Sequence, residues 1–432
     1  MTRLDHTTAP ASVLSLSMGL PPRARAAAAA AAAAACAAAA PVAEAALPDS
    51  LERRMRAAGS YSGAYVYNAT DGEAVFRWRH TRRRILASNT KLFTTAAALA
   101  RWGPKGTLGT EVRGDGFLEP DGTWRGDLYL VGGGDPTFGS RGFVRRSYRS
   151  GASVQRLAAA LEEAGIRSVS GRIYGDESAF DSRRGISYSG FATSIYVGPL
   201  SALAYNRGLA RESGSAFQTN PPVFAARMLR RALKRRDMRV ARTSRRGRAP
   251  EGLRVLASVD SPPMRRLISI TNKPSDNFFA EMLIKAIGRQ ATEKKGTTRR
   301  GTRHAARFAR ELGSRARLAD GSGLSRRNQA SPYRVVRLLR ALRERPEFRT
   351  YYRSLALAGR DGTLATRMRS GAARRRCRAK TGTISGVSTL SGYCRARSGD
   401  LYVFSFLMNG VNVTAARGLQ DRMANSIAAQ RE

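Results

Sequence analysis

Ser88-Asn89-Thr90-Lys91 and Ser275-Asp276-Asn277 stand 187 positions apart (275 − 88), and Lys380-Thr381-Gly382-Thr383 follows nearer the C-terminus. Each pattern occurs once. Among the few lysines only Lys91 has a serine three residues before it, only Asn277 among the asparagines has a serine two before it, and only Lys380 precedes Thr-Gly. If the three strings act together, the chain cannot be a simple series of sequential domains. The stretches before and after a long middle region must then fold as one discontinuous unit.

The texture of the chain agrees with that division. Leu47–Ala58 reads as a helix ended by Gly59; Tyr61–Tyr67 and Ala74–Trp78 read as strands around the Asp71-Gly72 turn. Thr90–Trp102 is an Ala- and Leu-rich helix stopped by Gly103-Pro104. From Leu108 to Ser261 the pattern changes to short strands (Glu111–Gly116, Arg125–Val131, Gly171–Tyr174), Gly-rich turns and one clear helix, Ser153–Ala164. Helical texture returns at Ser275–Gly288, Thr302–Leu312 and Pro332–Arg343. A strand pair around Lys380, a buried-type strand Leu401–Met408 and a helix from Val413 follow. The expected organisation is a leader over 1–46, a catalytic domain built from 47–107 and 262–432, and a β-rich insert over 108–261. The fold class is α+β, with an antiparallel sheet flanked by helices.

With 432 residues, 42% hydrophobic, the chain can bury a sizeable core. Its net charge of +43 suggests nucleic acid at first sight. However, the basic residues are almost all arginine and are spread along the whole chain. They do not form one stripe with interleaved aromatics, so nucleic acid is not expected. An anionic polymer such as a bacterial cell wall fits better. At the N-terminus, Arg23 and Arg25 precede an alanine tract interrupted by Cys36, and Ala43-Glu44-Ala45 offers an A-x-A cleavage site. Export is therefore expected; lipidation of Cys36 is a weaker alternative, because Ala34-Ala35 is a poor match to an attachment site. Outside the leader only Cys377 and Cys394 remain. If Thr383 pairs with Ser388 in a hairpin, these two face each other, either as a disulfide or as two buried thiols.

Each string is ordinary alone and informative in combination. Ser88 and Lys91 lie one helical turn apart, so the amine reaches the hydroxyl. Serine becomes a good nucleophile when a neighbour takes its proton, and lysine does so only when neutral. Working near pH 7 asks for a fall of roughly 3 pH units from its usual value near 10.4. Burial and a second cation, Lys380, would both push that way. Free N–H groups at the helix start, including that of Ser88, suit an oxyanion. The bland alternative is a Ser cap and a surface lysine. Ser275-Asp276-Asn277 is by itself a helix cap; functionally, Ser275 would pass a proton to the leaving amine and Asn277 would hold the substrate amide and Lys91. Lys380-Thr381-Gly382-Thr383 would end an edge strand beside which an extended peptide can add. There Gly382 keeps the approach clear, and Lys380, Thr381 and Thr383 can hold a carboxylate. The bland alternative is a strand with a basic face.

Other schemes lack their parts. Outside the leader there are two histidines, His80 and His304, and there is no H-E-x-x-H, G-x-S-x-G, P-loop or dinucleotide fingerprint. No metal and no cofactor are expected.

The S-x-x-K, S-x-N and K-T-G set is that of penicillin-recognising serine acyl-transferases. Together with Gly132-Gly133-Gly134-Asp135-Pro136-Thr137 and Asp320-Gly321-Ser322-Gly323-Leu324-Ser325-Arg326, it resembles the D-Ala-D-Ala carboxypeptidase/endopeptidases of the class C low-molecular-mass penicillin-binding proteins, the peptidase S13 family. The long gap between the first two strings is that family's mark. The resemblance implies a penicilloyl-serine transferase domain, with a five-stranded antiparallel sheet between helices and a β-rich insertion. It implies an acyl-enzyme on Ser88 formed from peptidoglycan stem peptides, with β-lactams as covalent inhibitors. Arg326 would contact the substrate beside the cleft, and Asp176 and Phe180 would help recognise the diaminopimelate amine. The rivals are a serine β-lactamase or esterase on the same fold, and a catalytically silent basic wall-binding protein.

Overall fold

The computed structural model describes residues 46–431. The leader and Cys36 lie outside the described residues. The main sheet takes β1 (Gly63–Asn68) and β2 (Glu73–Trp78) from one end of the sequence. From the other end come β3 (Ala356–Leu357), β4 (Cys377–Ile384), β5 (Val387–Arg395) and β6 (Leu401–Asn409). Their order is β3-β4-β5-β6-β1-β2, and every pairing is antiparallel. Five strands were expected; the sixth, β3, is two residues long and caps only the first part of β4, at Arg378 and Ala379.

Alternation explains why β1 and β6 are buried throughout and largely apolar. Val66, Phe404 and Phe406 face one layer, where they pack with Leu51 and Met55 of α1 (Leu47–Ala57) and with residues of a C-terminal helix such as Met423 and Ile427. Their neighbours Tyr65, Tyr67, Val403 and Leu407 face the other, against Leu92 of α2 (Thr90–Trp102), Phe279 and Leu283 of α3 (Asn277–Thr292) and Leu339. A sheet covered on both faces needs apolar side chains at successive positions. The C-terminal helix, α4, is Val413–Ala429.

Residues 109–260 supply a second, mixed sheet. Gly109–Leu118 pairs antiparallel with Thr123–Gly132 and Arg254–Asp260, and Ile173–Asp176 runs parallel to Thr123–Gly132. Helices Val154–Glu163 and Pro221–Lys234 cover it, with Leu157, Leu161, Leu229 and Leu233 packed on Trp124, Leu128 and Ile173. Not all of this middle region stands apart. Phe143, Tyr148, Val197 and Leu200 join the core of α2 and α3, and the rings of Tyr148 and Phe279 meet edge to face at 5.3 Å.

The hairpin register is Thr383 to Ser388 and Cys377 to Cys394, and a disulfide links the two cysteines.

Candidate active site

Ser88 sits in a one-turn 3₁₀ segment, Ala87–Asn89, that feeds directly into α2. Two contacts tie this turn to the sheet. Asn89 Nδ2 donates to Thr389 Oγ1 on β5, and Thr389 Oγ1 donates to the Leu86 carbonyl at 3.0 Å. Ala87, just before the nucleophile candidate, holds φ +44°, and Ser275 holds φ +65°. Left-handed backbone at a non-glycine residue costs on the order of 1 kcal/mol and persists only where the surroundings enforce it.

Lys91 is fully buried. Its Nζ donates to Ser88 Oγ at 3.0 Å, to Asn277 Oδ1 at 2.7 Å and to the Ser322 carbonyl at 2.6 Å. Burial pulls its pKa down to about 8, against the upward pull of Asp320, Glu281 and Asp276. The second cation acts differently from expectation. Lys380 is also fully buried, and it is Lys380 whose pKa is driven well down, first by burial and then by Lys91. Its Nζ donates to Ser275 Oγ at 2.9 Å and to the Thr381 carbonyl at 2.8 Å. Two lysines thus reach two serines from opposite sides, and Asn277, the first residue of α3, belongs to the Lys91 side. Asp276 caps α3 by accepting from Phe279 N at 2.9 Å and pairs with Arg207 at 2.6 Å.

Ser88, Ser275, Asn277, Thr381 and Thr383 line one cleft of about 450 Å³. Gly382 explains the close fit of β4 to the nucleophile turn. A side chain there would come within 2.2 Å of Thr389 Oγ1 and 2.9 Å of Ser88 N. Gly323, at φ +93°, presses on the other side of the turn, with no room beside the Ala87 carbonyl. A larger hollow of about 820 Å³ around Thr297–Arg300 holds none of the three strings.

Three expected contacts are not in the cleft wall. Arg326 is exposed, and its Nη1 donates to the Ser385 carbonyl at 2.8 Å, at the tip of the β4–β5 turn. Asp176 is buried, and its carboxylate accepts from Ser178 N at 2.7 Å and Ala249 N at 2.8 Å. Phe180 is buried too, with its ring against Gly134 of the Gly132–Thr137 stretch. These bonds and contacts engage Asp176 and Phe180 in holding loops together, away from the lining of the cleft.

Glu281, Thr363, Arg367 and Arg417 escaped the sequence reading, and Asp320, named there within its motif, was given no role of its own. Glu281 is fully buried one turn beyond Asn277. It accepts from Gly321 N at 3.0 Å and Ser322 N at 2.7 Å, which fixes the carbonyl that Lys91 uses. Asp320 folds the same loop by accepting from Gly323 N, Ser325 N and Asn328 Nδ2 at 2.7–2.8 Å. Thr363, Arg367 and Arg417 also line the cleft. The spacing from Asn277 to Glu281 was a usable signal, because residues four apart share a helix face. Arg417 had none in a chain so rich in arginine.

A model of the D-Ala-D-Ala carboxypeptidase 3 (S13) family matches residues 43–216 and 210–430. The chain is 31% identical over 452 aligned residues to the D-alanyl-D-alanine carboxypeptidase of Actinomadura sp. (strain R39), covering 86% of this chain and 81% of that one. A carboxypeptidase of Mycobacterium tuberculosis is 27% identical, covering 84% and 79%. Among solved structures, penicillin binding protein 4 of Haemophilus influenzae superposes with a TM-score of 0.72 at 20% identity, over 86% of this chain and 97% of that one. The same protein complexed with a β-lactam gives 0.69 at 19% identity. These structural matches establish the shared fold.

Proposed function

The chain belongs to the D-Ala-D-Ala carboxypeptidase 3 (S13) family of peptidases, and from that premise we propose that it trims peptidoglycan stem peptides through an acyl-enzyme on Ser88. The observation that carries this is the contact of one buried amine, Lys91 Nζ, with both Ser88 Oγ and Asn277 Oδ1. In its neutral form Lys91 takes the Ser88 proton as the hydroxyl attacks the carbonyl of the terminal D-Ala-D-Ala bond. The backbone N–H groups of Ser88 and Thr383 receive the developing oxyanion. The proton reaches the leaving D-alanine amine through Ser275, which Lys380 holds at 2.9 Å. Water then releases the shortened peptide by the reverse use of the same groups. Endopeptidase cleavage of D-Ala crosslinks uses the same steps with a longer leaving group.

The domain organisation that goes with this reading is discontinuous: 47–107 and 262–432 form the catalytic unit, and 108–261 is the insert. The A-x-A-type leader supports export to the wall. Among the described residues no helix is long and apolar enough to cross a membrane.

Mass spectrometry after treatment with benzylpenicillin tests the mechanism. The expected result is one covalent adduct on the peptide containing Ser88, absent from Ser88→Ala and retained for minutes or longer. An adduct elsewhere, or none, overturns the reading. Rapid turnover of the label would instead identify a β-lactamase on this fold.

A further inference from the structure

The charge surplus is spread along the chain but is dense in one place. Residues 227–248 hold eleven arginines and lysines against one acid, Asp237. The stretch begins on the helix Pro221–Lys234, whose Leu229 and Leu233 are spent on the insert's sheet. Arg227, Arg230, Arg231 and Lys234 fall at spacings of three and four, so they share the other side of that helix. The chain then turns, and Arg239–Val240 runs beside Ser168–Val169 as a short strand at the sheet's edge. Two backbone bonds pin the segment that follows. Ala241 N donates to the Val169 carbonyl at 2.9 Å, and Arg242 N donates to the Gly171 carbonyl at 3.1 Å.

Between the helix and the segment Arg239–Ser244 lies a hollow of about 600 Å³. Arg227, Arg230, Arg231, Lys234 and Arg239 all line it. Arg230 Nη2 donates to the Val240 carbonyl at 3.3 Å and ties helix to strand; the other four cations are exposed. The ion pairs of this stretch go to Arg236, Arg246 and Arg248. The five cations of the wall have no acidic partner among the described residues, and Asp237 is not in the wall. Ser244 also lines the hollow. It is 8% exposed, and its Oγ is buried with no hydrogen-bond partner among the described residues. Buried hydroxyls are nearly always paired, so Ser244 is a donor left for a ligand in a hollow ringed by cations. None of these residues lines the Ser88 cleft.

We propose that this hollow is an anion-binding groove for a phosphodiester polymer of the cell wall, gripped by the five cations and the Ser244 hydroxyl. The row from Arg227 to Lys234 runs roughly 10 Å along the helix axis. That length suits a chain of recurring charges better than one small anion. Guanidinium forks and a hydroxyl together suit a phosphate, whose oxygens accept from several donors at once. Among the described residues the wall has no aromatic side chain. Single-stranded nucleic acid is held by stacking its bases on aromatics as well as by charge, so a polymer without bases fits the groove better. Placing the polymer in the wall rests on the peptidase reading; the anion site itself does not.

Fluorescence anisotropy of a labelled glycerol-phosphate oligomer tests this, with every protein carrying Ser88→Ala and salt held at about 0.1 M NaCl. The triple variant Arg227→Gln/Arg231→Gln/Arg239→Gln is expected to weaken binding by about 10-fold or more. Arg53→Gln/Arg83→Gln/Arg397→Gln removes the same charge from exposed positions elsewhere and should change binding by less than about 2-fold. Ser244→Ala alters no charge and should weaken binding by about 2- to 10-fold, the range of one hydrogen bond. Equal losses in the two triple variants, or binding untouched by Ser244→Ala, overturns the groove. A single-stranded DNA with the same number of phosphates that binds more tightly, and loses affinity in the same variants, overturns the proposal in favour of nucleic acid. With Ser88 restored, the first triple variant should form the benzylpenicillin adduct at the unmodified rate; binding lost together with the adduct counts against the groove, because the fold and not a site has then been lost. The binding differences without any adduct on Ser88 in the unmodified protein would sustain the groove and sink the peptidase reading alone.

Discussion

Lys91 must be both neutral enough to take a proton and fixed enough to aim at Ser88. Burial lowers its pKa to about 8, while Asp320, Glu281 and Asp276 pull the other way. At pH 7 a group with that value is neutral about one time in ten. The acylation rate with benzylpenicillin should therefore rise from pH 6 and level off above about pH 8, as protonated Lys91 disappears. A stopped-flow profile flat across that range would exclude Lys91 as the base. Glu281 is, after Asp320, one of the carboxylates that tune this limb. Burial and the neighbouring Asp320 push its own pKa up to about 7, so lysine and carboxylates titrate as one cluster. Glu281→Gln removes a negative charge that favours the ammonium while keeping an oxygen for Gly321 N and Ser322 N. The limb should then move to lower pH. Glu281→Ala leaves both N–H groups without an acceptor and should cost roughly 1–3 kcal/mol or more in urea unfolding. A limb unmoved in Glu281→Gln would mean that the carboxylate does not sense Lys91.

At the scale of elements, the cleft is a junction of α2, α3, β4 and the Asp320–Arg326 loop, and β4 is the piece most in need of stiffening. Beyond Ala379 its outer edge has no partner strand among the described residues, yet it carries Lys380 to Thr383. The Cys377–Cys394 bond anchors the start of that edge and closes a loop of separation 17. Chain-entropy arguments put such a crosslink at about 3 kcal/mol. The double substitution Cys377→Ala/Cys394→Ala should thus lower unfolding free energy by about 2–4 kcal/mol in denaturant titration; an unchanged midpoint would show that the bond adds nothing. The facing cysteines were legible because strand register is periodic and the turn Ile384–Val387 is short. Alternation also marked β1 as a strand, and a continuous apolar run marked β6. Other elements were missed for a physical reason. Met264–Asn272 follows Pro262-Pro263 and carries two isoleucines and a threonine, residues that lower helix propensity. It is nonetheless helical because Met264, Leu267, Ile268 and Thr271 fall on one buried face. The three strings identified the residues that meet around Ser88. The role of Asp320 within its loop and the cation on α4 stayed hidden, since what these two side chains touch is decided only by tertiary packing.

The whole molecule is dominated by charge. Even if every one of its 32 acids were paired, 43 of its 75 lysines and arginines would remain without an acidic partner. Some of the ion pairs that form are exposed on both sides, such as Arg56–Glu52 and Arg307–Glu311, and such pairs contribute little to stability. A surplus of this size acts at long range instead. It raises the local concentration of anionic partners, and at 0.1 M salt its reach is about 10 Å. Because the basic residues are spread along the whole sequence and not gathered around the three strings, attraction to an acidic wall polymer and catalysis at Ser88 should be separable. Sedimentation with purified, anionic-polymer-bearing cell walls is expected to retain Ser88→Ala as well as the unmodified protein at 50 mM NaCl. Retention should fall steeply by about 0.5 M NaCl, where screening confines the field to contact distance. Turnover of a small soluble peptide should change far less over the same range, since the buried lysines of the cleft are shielded from salt. Retention that ignores salt would mean that the wall is held by a specific subsite and that the arginine surplus has another cause. Retention lost with Ser88 would place wall affinity in the cleft itself.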